Sequence, residues 1–342
     1  MNDLRLGVIG CGHLGKIHAR LAQQLQHATL VGFSDPNQAA REQVAETVDC
    51  PAYEDFTDLL PHIDAAIVAA PTSLHFSIVQ QLLESGKHVL VEKPMTTDAE
   101  EAKQLVETAA RQELVLAVGH VEQFNPTFAE LRRRVSQPQF MEAVRTGGFT
   151  FRSTDVGVVF DLMIHDLDLI RSLAGCPVTE ISATGFSLLS EHEDFAEARV
   201  TFANGCVAQL KASRASQTAE RKLTIHSDAQ RIVMDMASRQ GSILTRSPRV
   251  CSPSWNVRRL TAEATQDYKD KVFTELLPVE SCQLPENNPL QDEQQDFVDS
   301  IREKRSPRVS GADATESIEM ALKVIAQIQS TKRQTLPGRQ AA

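Results

Sequence analysis

Asp161, His165 and Asp168 stand at i, i+4 and i+7 within the segment VVFDLMIHDLDL, residues 158–169. A helix turning about 100° per residue places all three on one stripe. Val158, Val159, Phe160, Leu162, Met163, Ile164, Leu167, Leu169 and Ile170 fill the rest of the circumference. Such a helix is expected to be buried. Buried ionisable groups are costly unless paired. The stripe therefore calls for a metal, a structural ion pair or a substrate cleft. No second imidazole or thiolate stands nearby in the sequence, which disfavours a metal. An imidazole can take a hydroxyl proton near neutral pH. The competing reading is a buried Asp161–His165 structural pair. Asp166 falls off the stripe and is expected to be a solvated or capping acid.

Lys93 is the second chemical residue. It follows the apolar run HVLVE and precedes Pro94. An ammonium at a strand end can stabilise a developing alkoxide. A surface lysine paired with Glu92 is the plainer alternative.

The elements that must hold these groups begin at residue 4. LRLGVI reads as a strand, followed by Gly10, Gly12 and Gly15 in the pattern G-x-G-x-x-G. Ile17, Leu21, Ala22 and Leu25 then follow at helical spacing, and ATLVGFSD is a second strand ending on Asp35. Strand, glycine turn, helix, strand and acid form the dinucleotide fingerprint in its required context. Gly10 permits the tight turn, Gly12 the approach of a pyrophosphate, and Gly15 close helix–strand packing. His13 and Leu14 complete the turn, His13 through its backbone. Asp35 would accept the adenosine ribose hydroxyls and repel a 2′-phosphate, with Arg41 the nearest arginine. NAD is the expected cofactor.

Further strands at 65–71, 88–94 and 114–121 alternate with helices, one of them capped by Thr97 or Asp98. This predicts an α/β Rossmann domain with a doubly wound parallel sheet. Ligands on such sheets sit beyond the carboxyl ends of strands. Ala70, Pro71, Thr72, His75, Glu92 and Lys93 thereby join the expected cofactor-binding set. After about Phe124 the pattern changes to alternating strands joined by turns such as Ala203-Asn204-Gly205 and Ser227-Asp228-Ala229. This half reads as α+β with an open, mainly antiparallel sheet. Residues 238–254 read as a loop or sheet edge. Two helices close the chain, the second with Gly311 and Asp313 near its start. The expected domains are 1–122 for NAD, 123–330 for substrate and oligomerisation, and a disordered tail at 331–342. An active site would lie in the cleft between the two domains.

The chain of 342 residues carries a net charge of −10, against a nucleic-acid partner. Its six cysteines are scattered without CxxC spacing, which fits a reducing compartment. No apolar run approaches the ~20 residues of a membrane span, and MNDLRLGVIG leads almost directly into a strand with no secretory signal. A cytoplasmic protein is expected.

The fingerprint with Asp35, the VEKP ending and D-x-x-x-H-x-x-D on a helix together resemble the glucose–fructose oxidoreductase / inositol dehydrogenase / MocA (Gfo/Idh/MocA) family. The resemblance covers essentially the whole chain. It implies a Rossmann domain followed by an open sheet domain that often forms the oligomer interface, here a homodimer or homotetramer. It places the family's catalytic set on Lys93, Asp161 and His165: His165 as general base, Lys93 as donor to the alkoxide, Asp161 orienting His165 or holding a sugar hydroxyl. GHVEQFNP and DVGVVFDLMIHDLDLI further resemble the subgroup of UDP-N-acetylglucosamine 3-dehydrogenases, whose keto product is aminated by an aminotransferase on the way to lipid A. The departure is Gln123, where family members often carry arginine. Gln123 and Asn125 would line the sugar pocket, and Arg152 would meet the substrate diphosphate. Alternatives are an inositol or free-sugar dehydrogenase of the family and a non-catalytic NAD-binding sensor.

Overall fold

Six short strands, β1 (Leu4–Ile9), β2 (Ala28–Ser34), β3 (Ala52–Tyr53), β4 (Ala65–Val68), β5 (His88–Glu92) and β6 (Leu116–Gly119), form one sheet. Their order is β3-β2-β1-β4-β5-β6, with every neighbouring pair parallel. β4 is buried along its whole length, the pattern of a strand covered on both faces. Helices α1 (His13–Ala22), α2 (Gln38–Ala45), α3 (Thr72–Glu84) and α4 (Ala99–Arg111) connect the strands. Asp98 caps α4, its carboxylate accepting from the N–H groups of Glu100 and Glu101. The strand order reverses between β1 and β4, so the ends of these two strands mark the switch point where ligands bind on such sheets.

The computed structural model describes residues 3–151, 155–284 and 286–335. The chain divides into two units, Met1–Asn125 with Asn287–Leu322, and Pro126–Glu286 with Lys323–Ala342. This differs from the contiguous division expected from the sequence. Helix α6 (Pro289–Glu303) returns to the first unit, where Phe297 and Val298 join the core of Leu6, Val8, Phe33 and Ile67. Helix α7 (Gly311–Thr335) runs five residues into the segment 331–342 that was expected to be disordered; residues 336–342 lie outside those described.

The second unit is built on eight strands: β7 (Phe140–Thr146), β8 (Val178–Phe186), β9 (Phe195–Phe202), β10 (Val207–Ser213), β11 (Glu220–His226), β12 (Gln230–Asp235), β13 (Gln240–Thr245) and β14 (Val279–Gln283). Their order is β14-β13-β12-β11-β7-β10-β9-β8. All neighbours are antiparallel except β7 and β10, which pair in parallel. Alternation sets the faces. In β9, Ala196, Ala198, Val200 and Phe202 are buried. Helix α5 (Ile164–Ala174) packs on β7 and β10. The turn at Ala203-Asn204-Gly205 joins β9 to β10, with Gly205 at φ +84°. The region 238–254 carries β13 and a short helix, Pro248–Cys251, rather than a plain loop.

Candidate active site

The β1–α1 turn is shaped for a dinucleotide. Gly10 has φ +94°, and a Cβ there would lie 2.6 Å from the Ala69 backbone. A Cβ on Gly15 would lie 1.8 Å from the Gly10 carbonyl oxygen. At Gly12, by contrast, a side chain would enter open space. Gly12 is also the N-cap of α1 and supplies no capping side chain. The first N–H groups of the helix, at His13 and Leu14, are thus left for an anion. These residues fit the pyrophosphate of NAD.

Asp35 follows β2. Its Oδ2 accepts from the Cys11 N–H at 2.7 Å and its Oδ1 from Asn37 N–H at 2.8 Å. Asp35 therefore braces the glycine turn. Each carboxylate oxygen can accept a second bond, so ribose recognition is compatible with this bracing. Arg41 donates to the Asp35 carbonyl at 2.6 Å. Beyond β4, Ala70, Pro71 and Thr72 lead into α3. The buried His75 places Nδ1 2.8 Å from the Pro94 carbonyl and Nε2 2.9 Å from the Ala70 carbonyl. It straps the turn after β4 to the turn that carries Lys93.

Glu92 ends β5 and is buried. Its Oε1 lies 2.8 Å from His18 Nε2, and its Oε2 accepts from the Lys93 backbone N–H at 3.2 Å. Burial works against its charge, but the hydrogen bonds from His18 and the Lys93 N–H, with the Lys93 charge, prevail and hold the carboxyl below its ordinary range. Gln123 and Asn125 lie at a buried turn after β6, Val121–Phe124. Asn125 Nδ2 donates to Glu122 at 3.1 Å, and the Gln123 carbonyl accepts from Arg308 at 3.2 Å.

In the second unit the apolar segment opens with a π turn, Val159–Met163, and continues as α5. A π turn holds more residues than an α turn. Asp161 therefore sits on a wider turn than the α-helix expected for the stripe, and His165 on the α-helix that follows. Both are half-buried. Asp161 Oδ2 lies 4.0 Å from Arg214, whose guanidinium also bonds Asp194 at 2.9 Å, Ser190 at 2.9 Å and the Val156 carbonyl at 3.0 Å. Asp194 is buried, which opposes its charge. The N–H groups of Leu188 and Leu189, the Ser190 hydroxyl and Arg214 outweigh this and hold its carboxyl well below the usual range. Asp168 pairs with Arg171 at 3.4 Å. Asp166 is not solvated as expected. It is 2% exposed and meets Arg145 in a two-pronged pair at 2.9 and 3.0 Å. Arg152 lies outside the described residues.

Two family models match. One describes an oxidoreductase family NAD-binding Rossmann fold and covers residues 4–120; the other, the GFO/IDH/MocA C-terminal domain, covers residues 100–233. A UDP-N-acetylglucosamine 3-dehydrogenase from Acidithiobacillus ferrooxidans is 38% identical over 226 residues, spanning 66% of this chain and 72% of that protein. The chain belongs to the Gfo/Idh/MocA oxidoreductase family. The solved structure of the A. ferrooxidans dehydrogenase superposes with a TM-score of 0.84 at 31% identity, over 96% of this chain and 99% of that one. A scyllo-inositol 2-dehydrogenase (NAD(+)) from Bacillus subtilis is 28% identical over 340 residues, 94% of this chain and 93% of the relative. A levoglucosan dehydrogenase solved with NADH and L-sorbose shares the fold at a TM-score of 0.81 and 17% identity. This Gfo/Idh/MocA protein is an NAD-binding oxidoreductase with two differently built sheets.

His18, Gln294, Arg145, Arg214 and Asp194 escaped the sequence reading. For Arg145 a signal existed: it falls in phase with Met141 and Ala143, the buried face of β7. His18 and Gln294 are 276 residues apart and no local pattern connects them.

Proposed function

We propose that this enzyme oxidises a secondary hydroxyl of a sugar, the 3-hydroxyl of UDP-N-acetylglucosamine, to a ketone. The 38% identity to a UDP-N-acetylglucosamine 3-dehydrogenase carries this reading. We assign the family's catalytic set to Lys93, Asp161 and His165. His165, a half-buried imidazole at the start of α5, takes the hydroxyl proton. Lys93 donates a hydrogen bond to the oxygen as charge develops on it. Asp161, close to Arg214, orients His165 or holds a neighbouring hydroxyl. NAD, when bound, accepts the carbinol hydrogen as hydride. Gly12, His13 and Leu14 hold its pyrophosphate and Asp35 its ribose. Gln123, Asn125 and Arg152 complete the substrate set. We assign the enzyme to a step before an aminotransferase that takes the 3-keto sugar, in lipid A synthesis. We further propose a homodimer or homotetramer in the cytoplasm, where the six cysteines stay reduced.

The B. subtilis relative, matched along nearly the whole chain, favours a second reading, oxidation of inositol. NADH formation separates the two, with NAD and UDP-N-acetylglucosamine, inositol or glucose supplied in turn and a ketone trap present. We expect turnover on the nucleotide sugar, falling by about 10²–10⁴ in His165→Ala. Turnover on inositol alone would replace the substrate. Silence on every sugar with NAD still bound would point to a sensor.

A further inference from the structure

Lys93 stands on a turn whose support reaches across the first unit. The Lys93 backbone N–H donates to Glu92 Oε2 at 3.2 Å, and Glu92 Oε1 lies 2.8 Å from His18 Nε2. His18 Nδ1 in turn lies 2.8 Å from Gln294 Nε2, on α6. With the amide nitrogen of Gln294 facing the ring, Nδ1 accepts. The single ring proton of a neutral His18 then sits on Nε2 and donates to Glu92. The result is one directed chain: Gln294 to His18, His18 to Glu92, and Lys93 N–H to the other Glu92 oxygen.

His18 is 1% exposed and Gln294 fully buried. Buried polar side chains are costly, and Gln294 Oε1 has no hydrogen-bond partner among the described residues, so the contact with His18 is the one its amide makes there. An apolar residue at 294 would fill the same space without that cost. We propose that Gln294 is a positioning residue for Lys93: it selects the tautomer of His18, which orients the Glu92 carboxylate and thereby the backbone of Lys93. The inference rests on the catalytic reading of Lys93 given above. It assigns to the returning C-terminal segment a part in the reaction, through a residue that touches no reacting atom.

The tautomer is read on wild-type protein by nitrogen NMR of the histidine rings. The expected result is a proton on Nε2 of His18 and none on Nδ1. An imidazolium, or a proton on Nδ1 alone, would overturn the chain. The second measurement is the acylation rate of Lys93 by an amine reagent, followed by peptide mass spectrometry with Lys103 as an internal reference. Gln294→Leu should change the Lys93 rate several-fold and leave Lys103 as it was. A merely structural role would alter both or neither, and that result would sink the proposal. On the active sugar, kcat of Gln294→Leu should fall about ten- to a hundredfold with NAD affinity nearly unchanged. An unchanged kcat would also count against it. Were no sugar turned over by the wild type, the functional reading would fail, while the tautomer and the acylation rates would still decide this one.

Discussion

Glu293 shows how much charge a single buried residue can control. It is 2% exposed, and neither carboxyl oxygen has a hydrogen-bond partner among the described residues. Burial, with the nearby charges of Glu92 and Asp296, pushes its carboxyl well above the ordinary range. The folded group thus holds its proton more tightly than the unfolded one. Its contribution to stability is full below the unfolded value of about 4.3 and is lost as pH rises through the folded value. Glu293→Gln should therefore raise Tm more at pH 8 than at pH 4; a thermal melt at both pH values is the check. Asp35→Ala should weaken NAD affinity about tenfold or more by removing the acceptor of Cys11 N–H as well as any ribose contact, measured by titration of the coenzyme. The glycine turn after β1 and the positions of Asp35 after β2 and Lys93 after β5 were legible because backbone constraints tie them to local spacing. The Glu92–His18–Gln294 chain was not, because its members meet only through the tertiary fold.

At the scale of elements, one buried pair joins β7 to α5. Arg145 and Asp166 are both nearly inaccessible and meet in a two-pronged ion pair. Removing one partner leaves a buried charge and costs about 3–5 kcal/mol. Arg145→Met should accordingly lower the stability of the second unit sharply. The double change Arg145→Met with Asp166→Leu should recover much of the loss, as a double-mutant cycle in urea would reveal. Equal damage in single and double variants would refute the pairing argument. Arg214 links the end of β10 to the 188–194 loop and lies near the π turn, so Arg214→Met should lower kcat while NAD affinity holds, in a steady-state assay with separate coenzyme titration. Strands and hairpins of this unit were readable from alternation and from Asn204-Gly205. The π turn was not, since the apolar run reads equally well at either period. Asp166 was misjudged because helical spacing alone does not reveal which neighbouring strand carries a cation.

For the whole molecule, the order of elements along the chain matters as much as their shapes. A chain ended at Glu286 would retain every strand of the parallel sheet and the glycine turn. It would lack Phe297 and Val298 from the core and Gln294 from His18. Such a truncation should lose cooperative unfolding and NAD binding, tested by circular dichroism and coenzyme titration; a truncated chain that bound NAD normally would show the return to be dispensable. The two-sheet plan was legible in the change from alternating helices and strands to hairpins. The return of α6 was not, because an amphipathic helix does not name the surface it will cover. That return also governs the timing of birth. A ribosome releases β1 to β6 before the residues that finish their core, with the whole second sheet translated in between. The coenzyme half therefore waits, open at one face, until the message beyond the second sheet is read. A stalled or prematurely stopped nascent chain would expose apolar surface to chaperones and proteases before it could ever hold a dinucleotide.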